Sequence, residues 1–218
     1  MSTNADTQPS SAVPTALSLF RALRHRNYRL FFAGQLVSLM GTWMQSVAQS
    51  WLVYSMTHSP FLLGVTSFCA QVPVFFVSPF GGTISDRLDR RRLLIVTQSL
   101  AMLQAGILAF LTLTHVVEVW QIIVLALSLG LVNAFDVPTR QAFTIDMVGR
   151  EDLRVAISLN SVMFNLARIV GPSAAGFLVA TAGEGACFAL NAFSYGAVLA
   201  GLLAMDIAPP RRLVRIYQ

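Results

Sequence analysis

The apolar residues of the chain gather into six long runs, near residues 30–55, 61–84, 93–114, 119–143, 154–180 and 185–206, separated by short polar breaks. A hydrocarbon core about 30 Å thick takes about 20 residues of helix rising about 1.5 Å each. Each run is therefore long enough to cross a bilayer. Backbone amides in lipid must pair within their own segment, and these runs lack the two-residue alternation of barrel strands. The pattern predicts an all-α membrane protein of six transmembrane helices.

Polar residues inside the runs fall at helical spacing. In the first, Gln35, Ser38, Thr42, Gln45 and Gln49 are separated by three, four, three and four positions, which places all five on one face. Such a stripe is disfavoured against lipid and must meet other helices or water. Interhelical hydrogen bonding is one reading. Five groups with three Gln exceed what helix association usually needs, which favours a water-filled substrate cavity. The fifth run repeats the device with Ser158, Ser161, Asn165 and Arg168. Entering at residue 154, the helix carries Arg168 about 21 Å, past the middle of the bilayer. A guanidinium at that depth needs a carboxylate, carbonyls or water, and its default reading is an anchor for a substrate or a gate pairing. No carboxylate lies comparably deep in sequence. Beside this stripe Ala167, Gly171 and Ala175 form a small-residue ridge for close helix approach, and Pro172 and Gly176 follow. Pro172, like Pro73 and Pro79 in the second run, removes a backbone donor and bends its helix.

Composition agrees: 55% of residues are hydrophobic, 11% are charged and the mean hydropathy is +0.65. That leaves little room for a soluble domain. All 15 basic residues are Arg, and apart from Arg168 they gather at alternate breaks, hence on one side of the membrane. Arg21, Arg24, Arg26 and Arg29 precede the first run, Arg87, Arg90, Arg91 and Arg92 follow the second, Arg140, Arg150 and Arg154 surround the fourth-to-fifth connection, and Arg211, Arg212 and Arg215 follow the sixth. The opposite loops contain none. Arginine retained on the cytoplasmic side puts both termini in the cytoplasm. The basic pI of 10.0 then reflects topology and anionic headgroups, with no nucleic-acid partner.

These signals divide the chain into a polar, disordered N-terminus (1–16), a basic juxtamembrane segment (17–29), the helical bundle (30–206) and the start of a cytoplasmic linker (207–218). Cys69 and Cys187 lie in apolar runs and read as small hydrophobes, with no disulfide, metal site or cofactor implied. His58 and His115 fall on outer loops and read as solvated. Asp136 and Arg140 stand one turn apart near the inner end of the fourth run, as a helix-end pair or as members of a larger charge network.

The loop between the second and third runs, Gly82-Thr-Ile-Ser-Asp86-Arg87-Leu-Asp89-Arg90-Arg91-Arg92, reads as a charged turn initiated by Gly82. Its pattern resembles the signature loop of the major facilitator superfamily, with Gly82, Asp86, Arg87, Arg90 and Arg91 in matching places and Asp89 where the family has a second Gly. The resemblance implies that Asp86 helps lock two halves of a transporter closed on the cytoplasmic side. Arg87 and Arg90 would share that network with Asp136. Arg168-Ile-Val-Gly171-Pro172-Ser-Ala-Ala175-Gly176 is similar to the fifth-helix motif of drug-proton antiporters, with Ala167 and Ala175 replacing two glycines. More broadly the chain resembles the branch of enterobactin exporters and related secretion-type permeases. The cues are Phe20 to Arg29, the Arg-rich loop and Asp136-Val-Pro138-Thr-Arg140.

Membership implies half of a twelve-helix fold, built as two inverted three-helix repeats. By analogy the first and fourth helices line a cavity, the second and fifth meet the other half, and the third and sixth face lipid. The implied function is secondary transport of a small molecule by alternating access, with export the favoured direction; no carboxylate lies near the middle of a run, so any proton coupling must use Asp136, Asp146 or groups this chain does not contain. The implied partners are the bilayer, a small-molecule substrate, and a second half or second copy of the chain. The alternative is a non-transporting half that only binds or assembles. An intramembrane protease of rhomboid type would need a Gly-x-Ser-Gly nucleophile, which is absent, so no enzyme is expected.

Overall fold

The computed structural model of the chain describes residues 22–85, 87–149 and 152–205. The polar N-terminal segment 1–16, the start of the juxtamembrane segment, Asp86 and the linker 207–218 lie outside the described residues. A short 3₁₀ turn, Ala22–Arg24, leads into α1 (Arg26–Thr57). Then follow α2 (Pro60–Ser85), α3 (Arg90–Leu113), α4 (Val119–Val148), α5 (Leu153–Ala182) and α6 (Glu184–Ala204). Each helix overlaps one predicted run. Helices α2 to α6 are long and apolar enough to cross a membrane. Helix α1 is long enough at 32 residues but falls short in hydropathy because it carries the polar stripe.

Local sequence sets the helix ends. Asp89, at the position where the family has glycine, is the N-cap of α3 and accepts a hydrogen bond from the Arg92 amide at 3.2 Å. Glu118 and Gln121 form a reciprocal capping box at the start of α4. Gly82 does not begin a turn. Helix α2 runs through it to Ser85, and the reversal comes at Arg87 and Leu88, whose amides both reach the Ile84 carbonyl. A helical Gly82 needs no special conformation, and nothing lies within 4 Å of where its Cβ would stand. His58 and His115 are exposed and take left-handed conformations at the ends of α1 and α3.

The main helix contacts pair α2 with α4, α1 with α6, α3 with α6, α1 with α5, and α3 with α4. Exchanging α1 for α4, α2 for α5 and α3 for α6 maps this set onto itself. Helices α1 and α5 run in the same direction, since Tyr28 meets Ala156 while Trp43 meets Phe164. Helices α3 and α4 run oppositely, since Arg90 meets Asp146 while Gln104 meets Leu125. The exchange therefore reverses direction, which is the pattern of two inverted three-helix repeats. The described arginines other than Arg140 and Arg168 all lie at one end of the bundle.

Close contacts at the repeat-to-repeat seams depend on missing side chains. A Cβ on Gly81 would stand 2.4 Å from the Ala134 carbonyl oxygen, and one on Gly130 2.4 Å from that of Ala70, so α2 and α4 touch backbone to backbone. On the symmetry-related seam a Cβ on Gly171 would stand 2.6 Å from Trp43 Cβ and 2.8 Å from the Met40 carbonyl, so α5 closes on α1. Small residues give membrane helices the contact that the hydrophobic effect cannot supply between them. Apolar clusters fill both ends of the bundle, around Tyr28, Phe31, Leu94 and Phe143 at the arginine-rich end and around Met44, Leu52, Ile122 and Phe188 at the other.

Gly130→Val should lower stability in detergent by about 1–3 kcal/mol through overpacking. Gly176→Ala, where nothing lies within 4 Å, should be neutral within about 0.5 kcal/mol or slightly stabilising. Thermal unfolding followed by monodisperse size-exclusion recovery distinguishes the two, and equal behaviour of both variants would contradict the seam.

Candidate functional site

Between the apolar end clusters the bundle holds a polar layer. Gln35, Ser38 and Gln45 are buried and Thr42 and Gln49 are half-buried, so the α1 stripe turns into the bundle. The Gln45 carboxamide donates to Gln104 Oε1 on α3 at 3.1 Å and accepts from Asn191 Nδ2 on α6 at 2.7 Å. Gln104 donates onward to the Leu125 carbonyl of α4 at 3.3 Å, and the Ser194 hydroxyl lies 3.0 Å from Asn191 Oδ1. One directed chain of hydrogen bonds thus crosses four helices. Gly41 makes room for it, since a Cβ there would stand 2.4 Å from Asn191 Oδ1. Thr42 shares a 3.3 Å hydrogen bond with the Tyr195 hydroxyl. The sequence favoured a water-filled cavity over interhelical bonding for this stripe. For Gln45 and Thr42 the geometry is interhelical bonding, and Gln35 Oε1 is buried with no hydrogen-bond partner among the described residues.

Asp136 is a second buried polar centre. Its Oδ1 accepts from Thr97 Oγ1 at 2.7 Å and from Gln98 Nε2 at 2.8 Å, both on α3, and its Oδ2 pairs with Arg140 one turn along α4. The expected link from Asp136 to the α2–α3 loop is not what the described residues form. Arg90 instead donates to both oxygens of Asp146 at 2.9 Å, ten residues further along α4 and at the bundle's end. The reason is depth: Asp136 sits level with Thr97, two turns into α3, whereas Arg90 begins that helix. Arg91 donates to the Leu202 and Leu203 carbonyls at 2.8 and 3.1 Å, which caps the last turn of α6 and ties the two repeats together. Arg87 is exposed beside the loop. Nearby, His25 Nε2 lies 3.0 Å from Asp152 Oδ2.

The α5 stripe points outward. Ser161, Asn165 and Arg168 are exposed, Ser158 and Pro172 are half-buried, and Gly171 is buried in the seam while Gly176 faces open space. The Ser158, Ser161 and Asn165 side chains each donate to a carbonyl one turn back on their own helix. Between α4 and α5 lies an open groove of about 570 Å³ of mixed character, lined by Gln141, Thr144, Asn160, Ser161 and Asn165 together with Ile145, Leu153, Ile157 and Phe164. The Arg168 guanidinium lies over the Trp43 ring, 5.7 Å from its centroid, and Phe164 meets the same ring edge-on at 5.6 Å. Sequence reasoning missed Trp43, because it sought a carboxylate and an aromatic face serves instead. By contrast, the outer groove between α3 and α6, about 440 Å³, is lined by Met102, Leu103, Ile107, Phe110 and Phe193 with Gly106 and Ala192. The bundle therefore has one wholly apolar outer face and one face with exposed polar and cationic groups.

The model of the transmembrane secretion effector family matches residues 17–215. The chain belongs to this family of the major facilitator superfamily. Among curated relatives it is 30% identical to the Staphyloferrin A transporter of Staphylococcus aureus over 168 residues, covering 77% of this chain and 42% of that protein. It is 26% identical to the Enterobactin exporter EntS of Shigella boydii over 194 residues, covering 89% of this chain and 46% of that protein. It is 25% identical to the MFS-type transporter YfiS of Bacillus subtilis over 191 residues, covering 86% and 44% respectively. The chain spans less than half the length of these relatives. As a family member with, among the described residues, five helices long and apolar enough to cross the bilayer, it is a multi-pass membrane protein, and its relatives are transporters rather than enzymes.

Gln45→Leu removes the hydrogen bonds to both Gln104 and Asn191. At about 0.6 kcal/mol per membrane hydrogen bond on average, the loss should be about 1–2 kcal/mol. Unfolding in mixed micelles measures it, and unchanged stability would contradict a structural role for the amide chain.

Proposed function

We propose that the chain is the N-terminal half of a secondary active transporter that exports a small organic molecule by alternating access. The observation that carries this reading is the match of the family along residues 17–215 combined with the two unlike faces of the bundle. The apolar α3–α6 face suits lipid. The α5 face, with Asn165 and Arg168, suits water, substrate or a second half. In this reading the arginine-rich end lies in the cytoplasm, by retention of positive charge, and the membrane is the cytoplasmic membrane. Both termini are then inside.

The α2–α3 loop is the conformational lock. In this reading Asp86 contributes the carboxylate of the motif, Arg87, Arg90 and Arg91 are its basic members, and Gly82 leaves open space on α2 for an approaching helix. The Arg90–Asp146 pair and the Arg91 cap on α6 support this, because they tie the loop's root to two helices of the second repeat. Asp136 with Arg140 forms a deeper charge pair inside the half. The export direction and the kind of molecule follow the names of the relatives, an enterobactin exporter and a staphyloferrin A transporter. Coupling to protons is proposed through one of the α4 acids, Asp136, which is buried, or Asp146, which is exposed at the bundle's end, or through groups outside this chain. The cavity side is assigned to the groove beside Asn165 and Arg168, with Gln35, Ser38, Thr42, Gln45 and Gln49 supporting it from behind.

Flux of enterobactin and staphyloferrin A into inside-out vesicles, under an imposed pH gradient, tests the proposal. Gradient-dependent uptake is expected, and Asp86→Asn should slow it severalfold while leaving the amount of folded protein unchanged. A monomer in detergent, with no uptake under any gradient, would instead favour a half that binds or assembles without transporting.

A further inference from the structure

Arg168 is a cation at the middle of a 30-residue helix, about 22 Å from either end. The described acids are all committed elsewhere or stand at helix ends. Asp136 pairs with Arg140, Asp146 with Arg90, Asp152 with His25 and Asp89 with Arg92, while Glu118 and Glu184 flank the outer ends of α4 and α6. None reaches Arg168. The Trp43 ring attracts the guanidinium through its face but accepts none of its N–H donors in the plane, so the donor fork stays available. The fork is also held in place. Trp43 is fixed by Phe164 edge-on and by the Gly171 contact that presses α5 onto α1 at Trp43 Cβ. Beside the fork lie the exposed ring of Phe164 and, one turn toward the arginine-rich end, Asn165.

We infer that Arg168 and the Trp43–Phe164 aromatic pair form a recognition site for an organic carboxylate that carries a flat apolar group. The inference deepens the transporter reading and rests on it. The two oxygens of a carboxylate match the guanidinium fork, and the apolar group lies against the aromatic wall. Trp43 is a positioning residue: it orients Arg168 and does not itself hold the anion. An anion arriving at this depth supplies the counter-charge that the described bundle lacks, which links binding of cargo to a change in the electrostatics of the face where two halves meet.

Equilibrium dialysis of 2-naphthoate against the chain in lipid nanodiscs tests the site without requiring transport. Neutral 2-naphthamide and acetate serve as partners that keep only the flat group or only the charge. Saturable naphthoate binding is expected, with both partners at least about tenfold weaker, as removal of a charge-assisted hydrogen-bonded pair implies. Arg168→Gln should abolish the preference for naphthoate over naphthamide, and Arg168→Lys should keep part of it. Trp43→Leu should weaken naphthoate severalfold, and Trp43→Phe should restore it, an outcome that a merely structural role for Trp43 would not produce. Matching size-exclusion profiles and helical circular dichroism show that the variants fold. Equal binding of naphthoate and naphthamide, or an undiminished preference in Arg168→Gln, would overturn the site. Flux in the vesicle assay without naphthoate preference would reject the anchor and keep the transporter, whereas naphthoate preference without flux would do the reverse.

Discussion

Lipid offers no hydrogen bonds, so polar side chains that the sequence places within a helix are driven toward partners inside the bundle or toward a wet face. That constraint fixes the rotation of α1. Its Gln45 can be satisfied only where Gln104 of α3 and Asn191 of α6 meet it, and the resulting chain of amides passes through to the Leu125 carbonyl of α4. Helix α1 is the least apolar of the six and owes its place to this interior. Once α1 is fixed, the glycine contacts follow. Gly41 accommodates Asn191, Gly171 brings α5 onto Trp43, and the related contacts of Gly81 and Gly130 bring α2 onto α4.

The same constraint explains why the bundle has two kinds of outer surface. Along their membrane-spanning lengths helices α3 and α6 spend Thr97, Gln98, Gln104, Asn191 and Ser194 on the interior and line their outer groove with apolar residues alone. Helix α5 does the opposite, burying Ala156, Met163, Ala167, Gly171 and Ala175 and leaving Ser161, Asn165 and Arg168 outside. A helix with that arrangement is costly against hydrocarbon. It is reasonable beside water, cargo or another bundle. Under the proposed function such a bundle has a lipid side and a working side, as alternating access between halves requires.

Much of this was legible in the sequence. Run length and hydropathy place the helices, because crossing a bilayer demands a fixed number of apolar residues. Helical spacing showed which polar residues share a face, as with Gln35 to Gln49 and Ser158 to Arg168. Spacing cannot show what that face meets. The α1 stripe turned inward to α3 and α6, and the α5 stripe turned outward, although both have the same period. Partners distant in sequence were likewise hidden: Trp43 under Arg168, Thr97 and Gln98 on Asp136, and Asp146 in place of Asp136 for Arg90. Asp89 looked like a departure from a glycine position, whereas it caps α3. Gly82 looked like a turn residue, whereas the helix continues through it.

The central claim is that the α5 face borders water or cargo while the α3–α6 face borders lipid. Single cysteines at positions 161, 165 and 168 on α5 and at 103, 107 and 193 on the apolar groove, in a background with Cys69 and Cys187 replaced, can be labelled in membranes with a charged thiol reagent. The account predicts labelling at the three α5 positions and protection at the other three. Protection of all three α5 positions, or labelling of the α3–α6 groove to the same extent, would contradict it.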